Sequence, residues 1–416
     1  MSDALTNDLI GQFQSVRSFS ELLCEPLQKE DMVVQSMPDV SPTKWHLAHT
    51  TWFFETFLLK PEVESYRPFN EAFEYLFNSY YNGVGAQFPR PNRGLLSRPT
   101  VDEVLAYRQH VDQAMTTWLK SGAAVPFADL IQLGLNHEQQ HQELLLTDIK
   151  HVLSINPLHP TYKKLPKTQA SEVKDWVWHN FDEVQTTIGC ESGDFCFDNE
   201  LPVHTQLILP FQMANRPVTT GEFLAFIDDG GYQNPLLWLS EGWNWVKSNH
   251  IEHPAYWKSL DGEWFQFTLG GLEPLNLSEP VSHLSYFEAD AFAQWAEARL
   301  PTEFEWEYVA KPLSQKGNFV EQQRFHPNAI NDQDNGLVGL FGDVWEWTSS
   351  SYAPYPGFKP PAGAVGEYNG KFMCNQYVLR GGSCVTAADH IRSTYRNFFP
   401  TDARWQFTGL RLARSL

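Results

Sequence analysis

The stretch Asn136-His137-Glu138-Gln139-Gln140-His141-Gln142-Glu143 lies inside a longer run, Phe127 to Leu153. Leu130, Leu133, Leu144, Leu145 and Ile149 recur there at helical spacing, and no Gly or Pro interrupts the chain between Asn136 and Leu153. This periodicity predicts a helix. His137 and His141 then stand about one turn apart on a single face, where two imidazoles can take adjacent positions on one metal ion. A third ligand has to come from elsewhere, and Trp45-His46-Leu47-Ala48-His49 is the best candidate. Of His46 and His49, three apart, at most one need be a ligand. Histidines at this spacing also cap the polar faces of bundles, so the metal reading leans on the second histidine-bearing helix.

At 416 residues the chain exceeds one ordinary core, and two domains are expected. Residues 1–160 read as a helical bundle, 161–175 as a linker rich in Pro and Lys at its start, and 176–416 as a loop-rich domain. The composition, 42% hydrophobic and 19% charged, is that of a folded soluble protein. Fifteen Trp, 15 Tyr and 29 Phe suit irregular segments pinned by large rings or a pocket for a cationic ligand. A net charge of −20 argues against nucleic acid and anionic membranes as partners. No stretch approaches the roughly 18 apolar residues of a membrane helix. The first residues lack the basic and apolar regions of a signal peptide. Five scattered cysteines, none in a C-x-x-C pair, suit a reducing cytoplasm.

Four helices are expected in the first half. Thr6 to Glu25 places Leu9, Phe13, Val16 and Phe19 on one face. A second helix opens with Ser41 as N-cap and Pro42 at its first position and runs to Pro61. Thr100-Val101-Asp102-Glu103 begins a third with a capping-box pattern that continues to about Ser121, and the Phe127–Leu153 run is the fourth. Such a bundle can hold a metal on facing side chains. Between the second and third helices lies Asn78-Ser79-Tyr80-Tyr81, then a Gly/Pro-rich loop bearing Arg90, Arg93 and Arg98. Those arginines read either as surface salt bridges or as a two-pronged clamp for a carboxylate. Beyond the linker, helices are expected at Thr219/Thr220 to Asp228 and at Ser285 to Arg299, within an α+β domain.

Six motifs follow in order there: Pro202-Val203-His204, Met213 to Thr219, Arg299-Leu300-Pro301-Thr302-Glu303-Phe304-Glu305-Trp306-Glu307, Gly342-Asp343-Val344-Trp345-Glu346-Trp347-Thr348, Leu379-Arg380-Gly381-Gly382-Ser383 and Gly409-Leu410-Arg411-Leu412. Together they resemble the formylglycine-generating enzymes, whose fold is C-type-lectin-like. The copper-binding cysteines of that family match Thr386 and Ile391 here, which argues against copper chemistry. The first half resembles the DinB-type four-helix bundle. Both halves in this order are similar to the sulfoxide synthases of ergothioneine biosynthesis, over nearly the whole chain.

That resemblance implies a non-haem Fe(II) centre on His49, His137 and His141, with Glu143 behind the ligands. It implies an O2-dependent reaction joining a thiol, cysteine or γ-glutamylcysteine, to the imidazole C2 of hercynine as a sulfoxide. Three neutral histidines leave open positions for thiolate, imidazole and O2. Tyr80 and Tyr81 become the candidates for the proton donor, with bundle-edge aromatics as the alternative; other members take this tyrosine from the C-terminal domain. Arg90 and Arg93 match the clamp on the thiol substrate's carboxylate. Gln140 and Asn397 would touch hercynine, and Phe398 would pack beside its trimethylammonium group. Phe399 stands where some members carry an Asp that selects γ-glutamylcysteine, which tilts the reading towards cysteine. Rivals are the ovothiol-type synthase, which usually carries a methyltransferase domain beyond the point where this chain stops, the selenium analogue, a zinc thiol transferase and a lectin-like binder. Homo-oligomerisation stays open.

Overall fold

A computed structural model describes residues 2–167, 170–191, 193, 195–330 and 336–416, with side chains from Thr6 onward. Residues 168 and 169 of the expected linker lie outside the described residues. The chain divides into two compact units: 1–162 together with Pro361–Tyr368, and 163–360 together with 369–416.

The first unit is built on four long helices: α1 (Ser2–Leu22), α2 (Thr43–Phe54), α3 (Val101–Lys120) and α4 (Ala128–Ser154). Their shared core holds Phe13, Trp52, Phe53, Phe54, Val104, Tyr107, Met115, Leu135, Leu146 and Ile149, all nearly inaccessible to solvent. Helix α2 passes directly into a π-helical turn, Glu55–Leu59, whose Glu55 accepts hydrogen bonds from Tyr66 and Tyr107. Gly134 is why α2 and α4 approach so closely. A Cβ there would stand 2.8 Å from the Phe54 ring and 2.9 Å from the Phe53 ring, so the helix tolerates a residue that costs it roughly 1 kcal/mol in propensity. Thr100 and Glu103 cap α3 reciprocally. At α2, however, Pro42 rather than Ser41 occupies the cap position. Ser41 is engaged otherwise: its N–H donates to Asp148 and its hydroxyl accepts from Arg93.

The second unit is α+β. One three-stranded antiparallel sheet places Phe211–Ala214 between Trp178–Phe181 and Ala413–Ser415. A four-stranded sheet runs in the order Asn397–Pro400, Gln376–Arg380, Trp345–Ser351, Thr408–Gly409. Helices Thr220–Asp228 and Tyr286–Trp295 open with capping boxes from Thr219 and Ser285, the second ending four residues before Arg299. Two further helices, Ser240–Asn249 and Glu303–Ala310, carry too few apolar residues at regular spacing to stand out.

The six motifs have a physical basis. Several of their charged residues form buried ion pairs: Arg411 with Glu346 at 2.8 Å, and Arg380 with Glu303 and Glu307 at 2.9 and 3.0 Å. Trp306 donates its indole N–H to Glu346. A charge removed from water persists only where opposite charges and hydrogen bonds replace hydration, so these positions constrain one another. Gly381, at φ +98°, meets the Leu340 carbonyl so closely that a Cβ would lie 2.4 Å away.

Candidate metal centre

His49 leaves α2, and His137 and His141 leave α4, towards one point in the first unit. Their ring centroids form a near-equilateral triangle with sides of 4.9, 4.8 and 4.7 Å, and one nitrogen from each lies within 4.8 Å of the others. His49 and His137 are fully buried.

The hydrogen bonds decide which nitrogens face inward. Nδ1 of His49 lies 2.6 Å from the Phe77 carbonyl, an acceptor left over at the end of the short helix Phe73–Phe77. That nitrogen must carry the proton, so Nε2 presents its lone pair, and it has no hydrogen-bond partner. His141 is set by a chain of two acceptors. Its Nδ1 lies 2.9 Å from Nδ1 of His46, whose Nε2 lies 3.0 Å from Asp148. The Asp148 carboxylate only accepts, so His46 carries its proton on Nε2 and accepts from His141, leaving Nε2 of His141 for a ligand. His46 is thus not a ligand but the group that orients one. His137 has no hydrogen-bond partner on either ring nitrogen among the described residues and packs between Phe53 and Tyr368.

Burial depresses all three pKa values. It acts first at each, lowering His137 to about 3; for His49 and His141 the neighbouring His137 adds to it. The rings are therefore neutral at pH 7, the form that binds metal. Buried polar atoms without partners are rare because each costs roughly 1–3 kcal/mol; among the described residues His49 Nε2 and both ring nitrogens of His137 are such atoms, and a cation at this point would satisfy one from each ring. The imidazole set fits a divalent transition metal.

If the Asp148–His46 chain orients His141, Asp148→Asn should weaken metal binding by about 10- to 100-fold while the helices remain intact. Chelator competition under anaerobic conditions measures this, and unchanged affinity would exclude that role.

Other predicted site residues take distinct places. Arg93 is buried, donates to the hydroxyls of Ser41 and Ser79, and lies 3.4 Å over the ring of Trp45, which itself stacks on His49. It forms no ion pair among the described residues, and its Nε has no partner. Burial and then Arg90 oppose its charge. A guanidinium nevertheless keeps its proton, so the site favours an incoming anion. Arg90 is exposed and donates to the Asp39 carbonyl. The surface salt bridges weighed for these arginines do not occur among the described residues. Tyr80 and Tyr81 stack at 4.6 Å; Tyr81 is fully buried, and its pKa is driven well up by burial and then by Tyr80. Gln140 accepts from the hydroxyl of Tyr368. Asn397 and Phe398 belong to the second unit, where Asn397 Oδ1 accepts from the Phe398 N–H and Phe398 stacks on Tyr352 at 4.0 Å. Thr386 and Ile391 are buried there.

Two site features escaped sequence reading. Tyr368 reaches His137 and Gln140 from a segment that reads as an ordinary Gly/Pro-rich turn. Glu138, one residue from His137, points the other way into a buried cluster with Arg17, Arg108 and Ser20; within the polar run 136–143 nothing local sets it apart from Glu143.

Residues 12–145 match the DinB superfamily, and residues 177–335 and 323–416 match the sulfatase-modifying factor enzyme 1-like domain. The chain is 30% identical over 410 residues to hercynine oxygenase of Mycobacterium tuberculosis, covering 92% of this chain and 93% of that protein. It is 31% identical over 404 residues to hercynine oxygenase of Mycolicibacterium thermoresistibile, covering 90% and 88%. The chain belongs to the hercynine oxygenase family. It joins a DinB-type helical domain to a formylglycine-generating-enzyme-like domain. No described helix of this family member is long and apolar enough to cross a membrane.

Proposed function

We propose that this chain is a non-haem iron(II)- and O2-dependent sulfoxide synthase of ergothioneine biosynthesis. It would join the sulfur of cysteine, or of γ-glutamylcysteine, to the imidazole C2 of hercynine. The observation that carries the reading is the meeting of three neutral imidazoles at one point, with His49 Nε2 and the His137 nitrogens buried and unpartnered among the described residues. His49, His137 and His141 would hold the iron, which when bound supplies open positions for dioxygen and thiolate chemistry. A neutral ligand shell adds no negative charge opposite a thiolate.

The protein's own groups then bind and orient. Arg93, which forms no ion pair among the described residues, would take the thiol substrate's carboxylate, and Arg90 on the same loop would share it. Gln140, on α4 between the two histidines, and Asn397 would orient hercynine. Phe398 would lie beside its trimethylammonium group. The Tyr80–Tyr81 pair would hold the proton that the reaction uses at their phenolic oxygens, since burial keeps the Tyr81 hydroxyl protonated. Phe399, in the place of an acidic residue, favours cysteine over γ-glutamylcysteine as donor.

Anaerobic reconstitution with Fe(II), followed by admission of O2 with hercynine and either thiol, tests this. Expected are O2 uptake only when hercynine and thiol are both present, and a product whose mass corresponds to the sulfoxide, formed faster with cysteine. A protein that binds iron yet consumes no O2 with these substrates would sink the proposal, and a zinc-dependent thiol transfer would proceed without O2.

A further inference from the structure

The carboxylate of Glu367 bridges two places in the first unit that are far apart in sequence. One oxygen accepts the N–H of Gly83 at 2.6 Å and the other the N–H of Asn82 at 3.1 Å. These are the two residues directly after Tyr80 and Tyr81. Gly83 permits the approach: a Cβ there would lie 3.0 Å from Glu367 Oε1 and 3.3 Å from Ala364 Cβ. Within the turn the Asn78 side chain bonds the Tyr81 N–H and the carbonyls of Tyr81 and Gly85, while Arg93 donates to Ser79 and the Tyr81 ring packs on Trp52 and Phe57. The next residue, Tyr368, donates to Gln140 on α4 and sets its ring 5.6 Å from His137 and 6.3 Å from Tyr80. Adjacent residues of one strap therefore hold the tyrosine turn with one side chain and the histidine helix with the other.

We propose that Glu367 is a positioning residue: its two-oxygen grip on the Asn82 and Gly83 amides sets the place of the Tyr80–Tyr81 pair relative to the three histidines. The inference rests on the function proposed above for that site. Hydrogen bonds to an ionised acceptor are about twice as strong as neutral ones. The grip therefore resists the displacement of about 1 Å that, at a reacting centre, costs on the order of 10²-fold in rate. The histidines do not depend on it, because Phe77 and His46 orient two of them and α4 carries the third.

The test compares the iron-loaded wild type with Glu367→Ala and Glu367→Gln. In Glu367→Ala, amide exchange across residues 78–85 should rise at least about tenfold and kcat should fall on the order of 10²-fold. KM and iron affinity should stay within about twofold of wild type. Glu367→Gln, which keeps one acceptor oxygen but sets an N–H donor against the second amide, should recover part of both the protection and the rate. Unchanged exchange in Glu367→Ala, or lost protection with an unchanged kcat, overturns the proposal. Exchange measures the anchor without any turnover, whereas inactivity of the wild type would count against the functional reading alone.

Discussion

Replacing His137 by alanine is expected to abolish iron retention while leaving the bundle folded. Ordinarily a buried polar side chain is costly to remove because its partners lose their hydrogen bonds. His137 has none on either nitrogen, so in the metal-free protein the variant loses packing against Phe53 and Tyr368 but also loses two unsatisfied buried atoms, each worth roughly 1–3 kcal/mol. These effects oppose one another. The loss appears only with metal present, because a ligand that binds the native state alone stabilises it by mass action, by about 2.7 kcal/mol at 100 times Kd. Wild type should therefore gain thermal stability on anaerobic addition of Fe(II), whereas His137→Ala should melt at the same temperature with and without it. Full iron occupancy in the variant would remove His137 from the ligand set.

Its neighbour should behave in the opposite way. Glu138→Ala is expected to destabilise the first unit by about 3–5 kcal/mol, the cost of breaking a buried ion cluster from one side. Glu138 lies 2.8 Å from Arg17 and 2.5 Å from Arg108, with Ser20 donating at 2.6 Å, and all four side chains are buried. Arg17 keeps Asp112 as a partner, but Arg108 is left with the half-exposed Glu21 at 3.2 Å. Burial alone would raise the carboxyl pKa of Glu138; Arg108 and then Arg17 outweigh it and hold the group down at about 2, against an ordinary 4.5. A carboxylate depressed in the folded state contributes stability that is complete above pH 4.5 and lost as the pH falls towards 2. The wild type should thus lose stability more steeply than Glu138→Ala across that window. Melts followed by helical circular dichroism at several pH values check both the size and the slope. Equal stability of the two proteins at pH 7 would show that the cluster contributes nothing.

The two predictions separate adjacent residues on one helix by the direction in which each faces, and that marks how far the chain could be read in one dimension. Periodicity reports where a side chain points relative to its own helix axis, because neighbours three and four apart enforce it. The pairing of His137 with His141, the helix that carries them, the capping box at Thr100, the helix starts near Thr219 and Ser285, and the ordered motifs of the second unit were all legible from such short-range patterns. Which groups meet is a different matter. His46 and His49 lie only about 60° apart around α2, so either could face α4. Phe77 and Asp148, positioned by other segments, give His49 the inward place and His46 the supporting one. Nothing local marks Arg93 as buried rather than as one more surface cation. Likewise the loop around Tyr368 carries no sign of its partner Gln140, 228 positions earlier in the chain. Interactions a few residues long set the elements and the chemistry available on each face. Which faces meet is settled later, when distant segments pack, because burial, lost hydration and the choice of hydrogen-bond partner arise only then.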